Sequence, residues 1–301
     1  IDIKEPFAGL LTQGMVCHQT YREENNANGG WLFPEEVSTS PDGDLIKADT
    51  GEKVLVGRSE KMSKSRKNVV DPESIIDSYG ADTARLFMLS DSPAARDLEW
   101  TEAGIEGAWR YTNRLWRLLV EPKYSLGKVG LAQPGSLSAE AQDVVRKTHR
   151  AILDVSADFD AFRFNRAVAR IRELTNEVTA LVGDNPGNIW ARRIGYETVV
   201  QLVGPVMPHL AEELWALLGH KNLLAKTPWP IADKQYLVED TVTVAVQVNG
   251  KFRGTIEVSP KTSKDEAEAM ALSLNNVQRA TESSPPLKII VVPNKVINIV
   301  L

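Results

Sequence analysis

Residues Gly57–Pro72, GRSEKMSKSRKNVVDP, concentrate the side chains best suited to chemistry. Lys61 and Lys64 stand three residues apart, with the hydroxyls of Ser63 and Ser65 beside them, and Arg58, Arg66 and Lys67 extend the charge. From Arg58 to Lys67, five cations against the single acid Glu60 give a charge of plus four, in a chain whose formal net charge is −5. A lysine ammonium is a mobile point charge with three donors, and serine hydroxyls add neutral donors. A flexible, cationic, hydroxyl-bearing loop of this kind suits a polyphosphate; the plain alternative is a solvated surface loop. Asp71 before Pro72 reads as an N-cap followed by proline at the first helical position, which would anchor the loop to a rigid helix start.

The rest of the composition narrows what such a loop can belong to. At 301 residues and 43% apolar content the chain has room for about two domains with real cores. No run approaches a membrane span, and no charged–apolar–small signal opens the sequence. The chain begins at Ile1 and not at Met, so a piece of a longer protein is expected. The single cysteine, Cys17, rules out an internal disulfide framework and points to a reducing compartment. The histidines (His18, His149, His209 and His220) are scattered, and no Cys/His cluster has metal-ligand spacing. Cys17 and His18 are adjacent, but sequence neighbours rarely face one another. The negative balance argues against a generally sticky nucleic-acid binder, so any RNA contact must come from local patches.

Taken in order, Leu10–Val16 reads as a strand leaving a core. Residues 21–57 turn polar, with turn signals at Asn28-Gly29-Gly30, Pro41-Asp42-Gly43 and Asp49-Thr50-Gly51 around short β-type runs at Trp31–Phe33 and Val54–Val56. They read as a small β-rich insertion or a surface connector. Residues 72–90 predict an amphipathic helix with Ile75, Ile76, Tyr79, Ala84, Leu86 and Phe87 as apolar cover, and Gly80 permits a break into two helices. From Thr101 to about Val120, Ile105, Ala108, Trp109, Thr112, Leu115, Trp116 and Leu119 follow helical spacing, which predicts both tryptophans as core anchors.

Residues 121–137 form a Pro/Gly-rich connection. Helices are expected over Ser138–Ala157 and Phe162–Val182, the second with Phe164, Val168, Ile171, Thr175 and Val178 on one side. Arg163, Arg166 and Arg170 then fall on nearly the opposite side, a basic face open either to solvent or to RNA phosphates. Residues 188–219 are helical again, broken at Pro205 and Pro208, with His209 packing or capping there. Helices joined by mostly short connections make a bundle, which Lys226–Pro230 closes as an extended segment. Beyond it, alternation over Thr241–Val248, the turn signal Asn249-Gly250, a return over Phe252–Val258, a capping box at Ser263–Glu266 opening one helix to about Ala280, and strands at Leu287–Val292 and Val296–Leu301 give a ββαββ module. Lys251 and Arg253, just past the hairpin turn, face either solvent or an RNA backbone.

KMSKS with its continuation NVVDPESIIDSYGADTARLFML resembles the second signature of class I aminoacyl-tRNA synthetases, and VAVQVNGKFRGTIEV resembles the C-terminal domain of the bacterial leucyl type. The resemblance runs through the chain in order. It implies a mixed, multi-domain fold: the end of a Rossmann-like catalytic domain (1–20), a β-rich insertion of leucine-specific type (21–57), the signature loop and following helical segment (58–100), an α-helical bundle of anticodon-binding type (101–232), and an α+β C-terminal module that contacts tRNA (237–301). It further implies that Lys61 and Lys64 stabilise the phosphates of ATP, with Ser63 and Ser65 as donors and Met62 as the packed residue that seats the loop. Leucine, ATP with Mg2+, and tRNA(Leu) are then the substrates, and Arg163, Arg166, Arg170, Lys251 and Arg253 the candidate tRNA contacts. A cytoplasmic monomer is expected. The partner signature of the class, His-x-Gly-His, follows none of the histidines here, so the chain by itself is expected to be inactive and to hold no cofactor alone. A valyl, isoleucyl or methionyl relative, or a non-catalytic tRNA-binding protein derived from one, is the alternative.

Overall fold

In a computed structural model, residues 5, 7, 9–24, 26, 30–237, 242–259, 262–281 and 285–301 are described. The turn expected at Asn28–Gly30 and the strand start expected at Thr241 lie partly outside them. By contact the chain divides once, into Ile1–Ala232 and Asp233–Leu301.

The first unit opens on strand β1 (Val16–Glu23), followed by β2 (Trp31–Leu32), β3 (Val37–Thr39), β4 (Leu45–Lys47) and β5 (Val54–Lys61). β1 is the hub: β2 and β5 pair with it antiparallel, and β6 (Leu98–Glu99) joins it in parallel. β3 and β4 form a separate two-stranded ladder. The strand expected over Leu10–Val16 is corrected: pairing begins only at Val16, and Leu10 and Leu11 are exposed. The ladder starts where partners exist, Val16 against Leu98 and Cys17 against Lys61. A bulge between Gln19 and Tyr21 pushes the buried Thr20 towards β5. Gly57 is required opposite it, because a Cβ there would sit 2.3 Å from Thr20 Oγ1.

Helices α1 (Pro72–Tyr79) and α2 (Ala81–Ser90) meet at Gly80, whose φ of 84° lies in the region that suits glycine. Asp71 caps α1 by accepting from Glu73 N–H. Leu86 and Phe87 are buried, but Ile76, expected as apolar cover, is exposed. Then come α3 (Glu102–Val120), α4 (Ala139–Asp160), α5 (Phe164–Ala180), α6 (Pro186–Val203) and α7 (Pro208–Leu217). α6 is buried on nearly every side, the signature of the central rod of a bundle.

On α3 the buried residues are Ile105, Ala108, Tyr111, Leu115 and Leu119. Trp109 and Trp116 are 44% and 38% exposed, which corrects their assignment as core anchors. At about 100° per residue they lie roughly 80–100° from the centre of that buried stripe. They fit the spacing rule yet sit on its flank, Trp109 edge-on to Tyr79. Tyr111, one step off the expected pattern, is the aromatic that goes inside.

α2 also manages the break between α6 and α7. Arg85 donates to Pro205 O and Val206 O at 2.8 and 3.0 Å, so the carbonyls beyond α6 are paired. The buried Asp82 accepts Leu210 N–H at 2.6 Å and faces His209 Nδ1 at 3.0 Å. It caps α7 from another helix, and the His209 ring stays outside. Trp229 closes the bundle, donating to Ser156 Oγ at 2.7 Å against the Phe159 ring.

In the second unit, β7 (Val242–Val248), β8 (Lys251–Val258), β9 (Lys288–Val292) and β10 (Val296–Val300) form a sheet of order β8-β7-β10-β9, its central pair parallel. Asn249 and Gly250, with φ of 50° and 76°, make the β7–β8 hairpin turn. Val244, Val246, Val248, Ile256, Ile297 and Ile299 pack beneath two helices, α8 (Lys264–Leu272) and α9 (Asn275–Thr281). The single helix expected here is two. Ser273 Oγ turns back to Met270 O, and the run Ser273-Leu274-Asn275-Asn276 offers weak helix formers. The Ser263–Glu266 capping box is present as read.

Asp82→Ala is expected to destabilise the first unit by about 1–2 kcal/mol through loss of the α7 cap. Chemical denaturation followed by tryptophan fluorescence measures it, and a midpoint equal to wild type would remove Asp82 from that role.

Candidate functional site

The KMSKS run is not the loose loop its composition suggests. Lys61 ends β5, Met62 N–H bonds Val16 O at 3.1 Å, and Lys64–Arg66 form a single 3-10 turn closed by Lys67 in the left-handed region. The residue that fixes this turn is Asn68, which is 0% exposed. Its Oδ1 accepts Ser63 N–H at 2.9 Å, and its Nδ2 donates to His18 O and Glu60 O at 3.0 Å each. One carboxamide therefore ties the loop to both β1 and β5. Met62, expected to seat the loop, is only half-buried. Asparagine's ability to satisfy donor and acceptor needs at once explains why it, and not an apolar residue, does this.

The five cations of the run divide into two kinds. Arg66 pairs with Glu60 and lies 5.7 Å above the Trp31 ring. Lys67 reaches Glu36 at 3.5 Å and the Phe33 ring at 4.9 Å. Lys67 is held by the β-rich segment that precedes the loop, and Arg66 by Glu60 within the run, with Trp31 of that segment beside it. Arg58, Lys61 and Lys64 have no acidic partner among the described residues, and Lys64 is exposed. Ser63 Oγ and Ser65 Oγ lie 2.8 Å apart on the same turn. The outcome is a pinned turn presenting free ammonium groups with two hydroxyls between them, a donor set that fits phosphate oxygens and carries no competing carboxylate. Among the described residues no three His, Cys, Asp or Glu side chains cluster as metal ligands. Cys17 and His18 make no dyad: His18 Nδ1 meets Gln19 O at 2.8 Å, and burial, then Asp97 and Glu99, push the Cys17 thiol up.

The three arginines expected as a basic face converge instead on one carboxylate. Asp158, 1% exposed near the end of α4, faces Arg163 Nε at 2.9 Å, Arg166 Nε at 3.5 Å and Arg170 Nε at 2.8 Å. Arg170 also reaches Asp154 at 2.8 Å, and these pairs raise its pKa, with the Asp158 hydrogen bond the largest cause. Arg163 is not in the helix: Phe162, at φ 56°, turns the chain so that α5 starts at Phe164. The guanidinium groups stay partly exposed, so the cluster both joins α4 to α5 and presents a charged rim. Lys251 stands exposed at the start of β8, an outer strand. Arg253 is half-buried, its Nε without a partner. Asn68 and Asp158 were both missed in the sequence, since nothing in their neighbours marks a buried polar hub.

Two family profiles match this chain: "tRNA synthetases class I (I, L, M and V)" over residues 53–101, and "Anticodon-binding domain of tRNA ligase" over residues 141–269. The first covers β5, the pinned turn, α1 and α2; the second runs from α4 into α8. The leucine–tRNA ligase of Paramagnetospirillum magneticum is 55% identical over 301 residues, which are 100% of this chain and 34% of that protein. That of Rhodospirillum rubrum is 50% identical over 100% of this chain and 35% of its own length. A crystal structure of the ternary complex of Agrobacterium radiobacter K84 agnB2 LeuRS, tRNA and LeuAMS matches 99% of this chain and 34% of that one, with a TM-score of 0.72 at 26% identity. Along its whole length the chain is similar in sequence to leucine–tRNA ligases, and it spans about a third of the curated relatives it matches. No helix among the described residues is long and apolar enough to cross a membrane.

Asn68→Ala is expected to loosen the turn without unfolding the unit, leaving Ser63 N–H and two carbonyls unpaired at a cost of about 2–3 kcal/mol. Hydrogen exchange at the Ser63 amide should then speed up roughly 30–100-fold. Unchanged protection at that amide would show that the pin lies elsewhere.

Proposed function

We propose that this chain is the portion of a leucine–tRNA ligase that grips the phosphates of ATP during leucine activation and carries tRNA(Leu) to the site. The observation that carries the reading is the division of cations on the pinned turn: Arg66 and Lys67 are consumed by local partners, whereas Lys61 and Lys64 have no acidic partner among the described residues. ATP, bound with Mg2+, supplies the phosphorus that the leucine carboxylate attacks. On this chain, Lys61 and Lys64 neutralise the charge that grows on the departing pyrophosphate, and Ser63 and Ser65 donate to its oxygens. The backbone pin from Asn68 sets where those groups stand before ATP arrives, which lowers the cost of ordering them on binding.

The proposed division of labour follows the sequence. Residues 1–20 close a Rossmann-like catalytic domain, 21–57 are a leucine-type insertion that steadies the turn through Trp31, Phe33 and Glu36, and 58–100 hold the ATP loop. Residues 101–232 form the tRNA-holding bundle, and 237–301 form a tRNA-contacting module with Lys251 and Arg253 at its hairpin. Adenine, ribose and leucine contacts belong to sequence outside this chain, because no His-x-Gly-His is present. Arg163, Arg166 and Arg170 are proposed as a phosphate contact whose geometry Asp158 sets. A cytoplasmic monomer is the proposed working state.

In a chain extended to the length of its relatives, Lys64→Ala should slow leucine-dependent pyrophosphate exchange about 10²–10³-fold, with tRNA affinity nearly unchanged. Normal exchange in that variant would sink the reading, as would robust exchange by the 301-residue chain alone. For the bundle, replacing Arg163, Arg166 and Arg170 by Gln together with Asp158→Asn should weaken tRNA(Leu) binding and flatten its salt dependence. The carboxylate has to go with them, because an unpaired buried charge would itself destabilise the corner. An unaltered slope would confine those arginines to joining α4 and α5.

A further inference from the structure

The bundle satisfies its other buried arginines thoroughly. Arg192 donates to Ser125 O, Gly183 O and Leu181 O at 2.7, 2.7 and 3.0 Å and pairs with Asp184. Arg193 pairs with Glu197 at 2.6 Å and donates to Leu218 O at 2.6 Å. Arg172 on α5 is treated differently. Its guanidinium lies 4.8 Å over the Tyr111 ring, its Nε is enclosed without a hydrogen-bond partner, and among the described residues no carboxylate pairs with it. Burial holds its pKa below the usual arginine range, with Tyr111 opposing the shift.

A second arginine shares the seam. Arg114, three residues on from Tyr111 along α3, also has no acidic partner among the described residues. It lies near enough to Tyr111 and Tyr196 to favour the ionised form of both phenols, against the larger effect of burial. Tyr111 meanwhile spans the two helices, its hydroxyl 3.0 Å from Thr175 Oγ1. Around this pair competing acid is sparse: Glu173 follows Arg172 in the sequence but is exposed, and among the described residues it pairs with neither arginine. Between Glu106 and Glu121, α3 carries Arg110, Arg114 and Arg117 and no carboxylate, and Arg110 is taken by Glu106 at 3.6 Å. On α5 the residues three and four positions from Arg172 are Val168, Ala169, Thr175 and Asn176, all neutral.

A half-buried cation without a counter-ion costs stability, and among the described residues Arg172 has, beyond the Tyr111 ring, none of the carbonyl and carboxylate partners that Arg192 and Arg193 have. Guanidinium forks match phosphate oxygens in shape and charge. We propose that Arg114 and Arg172, at the α3–α5 seam beside Tyr111, bind a backbone phosphate of RNA, at a site distinct from the Arg163–Arg166–Arg170 cluster. The inference rests on the tRNA-carrying reading above and adds to it a site where no carboxylate among the described residues pairs with either arginine. The Asp158 cluster arrives with its charge largely answered, whereas this seam supplies none of the balancing charge.

Filter binding of a tRNA(Leu) transcript to the 301-residue chain over a range of KCl tests it. The double variant Arg114→Gln, Arg172→Gln is expected to bind about tenfold more weakly near 0.1 M salt, with the log–log salt slope reduced by about 0.7–0.9, as for one lost phosphate contact. Arg172→Lys, which keeps the charge, should retain the slope. Without RNA the double variant should melt at the same temperature as wild type or a few degrees higher, since an uncompensated charge has been removed. An arginine present only for packing would lower that temperature and leave the slope alone, which overturns the proposal. The single variant Arg114→Gln provides the same reading, at about half the slope change, should the double variant fold poorly. Inorganic phosphate at about 10 mM is the control for a free-anion site. Stabilisation of wild type but not of the double variant, with no change in the tRNA slope, would overturn the assignment to RNA. Wild type that binds no tRNA at all would instead bring down the functional reading on which this rests.

Discussion

Asn68 holds a strip of like charges in one shape. Ammonium and guanidinium groups crowded into ten residues repel one another, and nothing apolar lies in KMSKSRK to collapse around except Met62. A buried carboxamide solves this by bonding backbone groups, so the side chains are positioned without being touched. The bulge at Thr20 and the close approach at Gly57 serve the same end, since they keep β1 and β5 in the register that brings His18 O and Glu60 O to one amide. A buried polar group with every bond made is rigid and specific, and expensive to disturb.

Throughout the first unit, function is separated from structure by which charges have been answered. Arg66 and Lys67 are spent on Glu60, Glu36 and two aromatic rings, Arg192 and Arg193 on loop carbonyls and acids, and three arginines on Asp158. What is left over is a short set of cations without acidic partners among the described residues. Counting charge along the sequence gives plus four for the signature run; counting it after pairing leaves Arg58, Lys61 and Lys64. The second count is the one a ligand meets.

Much of this order was legible before the structure. Asp71 and Pro72, Ser263 with Glu266, and Asn249-Gly250 are local devices whose effect does not depend on distant residues, and each behaves as its chemistry dictates. Helical periodicity located α3 but not its burial, because Trp109 and Tyr111 differ by only two positions and the choice between them is made by Thr175 and Arg172 on another helix. The same limit hid Asn68 and Asp158. Each is one polar residue among many, and its weight comes from groups far off in sequence or from several arginines folding onto it. Arg163, Arg166 and Arg170 were correctly placed on one side, but a helical projection cannot show that α4 had already put a carboxylate there.

The β-rich segment acquires a physical connection to the turn that neither its composition nor its position could establish. Trp31 lies between Arg22, 3.8 Å from its ring, and Arg66, while Glu36 accepts Phe33 N–H and meets Lys67. Glu36 therefore holds the start of a 3-10 turn in the insertion and the end of the KMSKS turn with one carboxylate. Any displacement of that segment must either carry Lys67 along or release it into the cationic strip, while Arg66 keeps Glu60 of the run itself and loses only the Trp31 ring. Release would add one charge to the face presenting Lys61 and Lys64, and retention keeps it as found. Surface pairs of this strength, about 1 kcal/mol or less apiece, are easily exchanged, so the contact can bias where the turn stands without locking it.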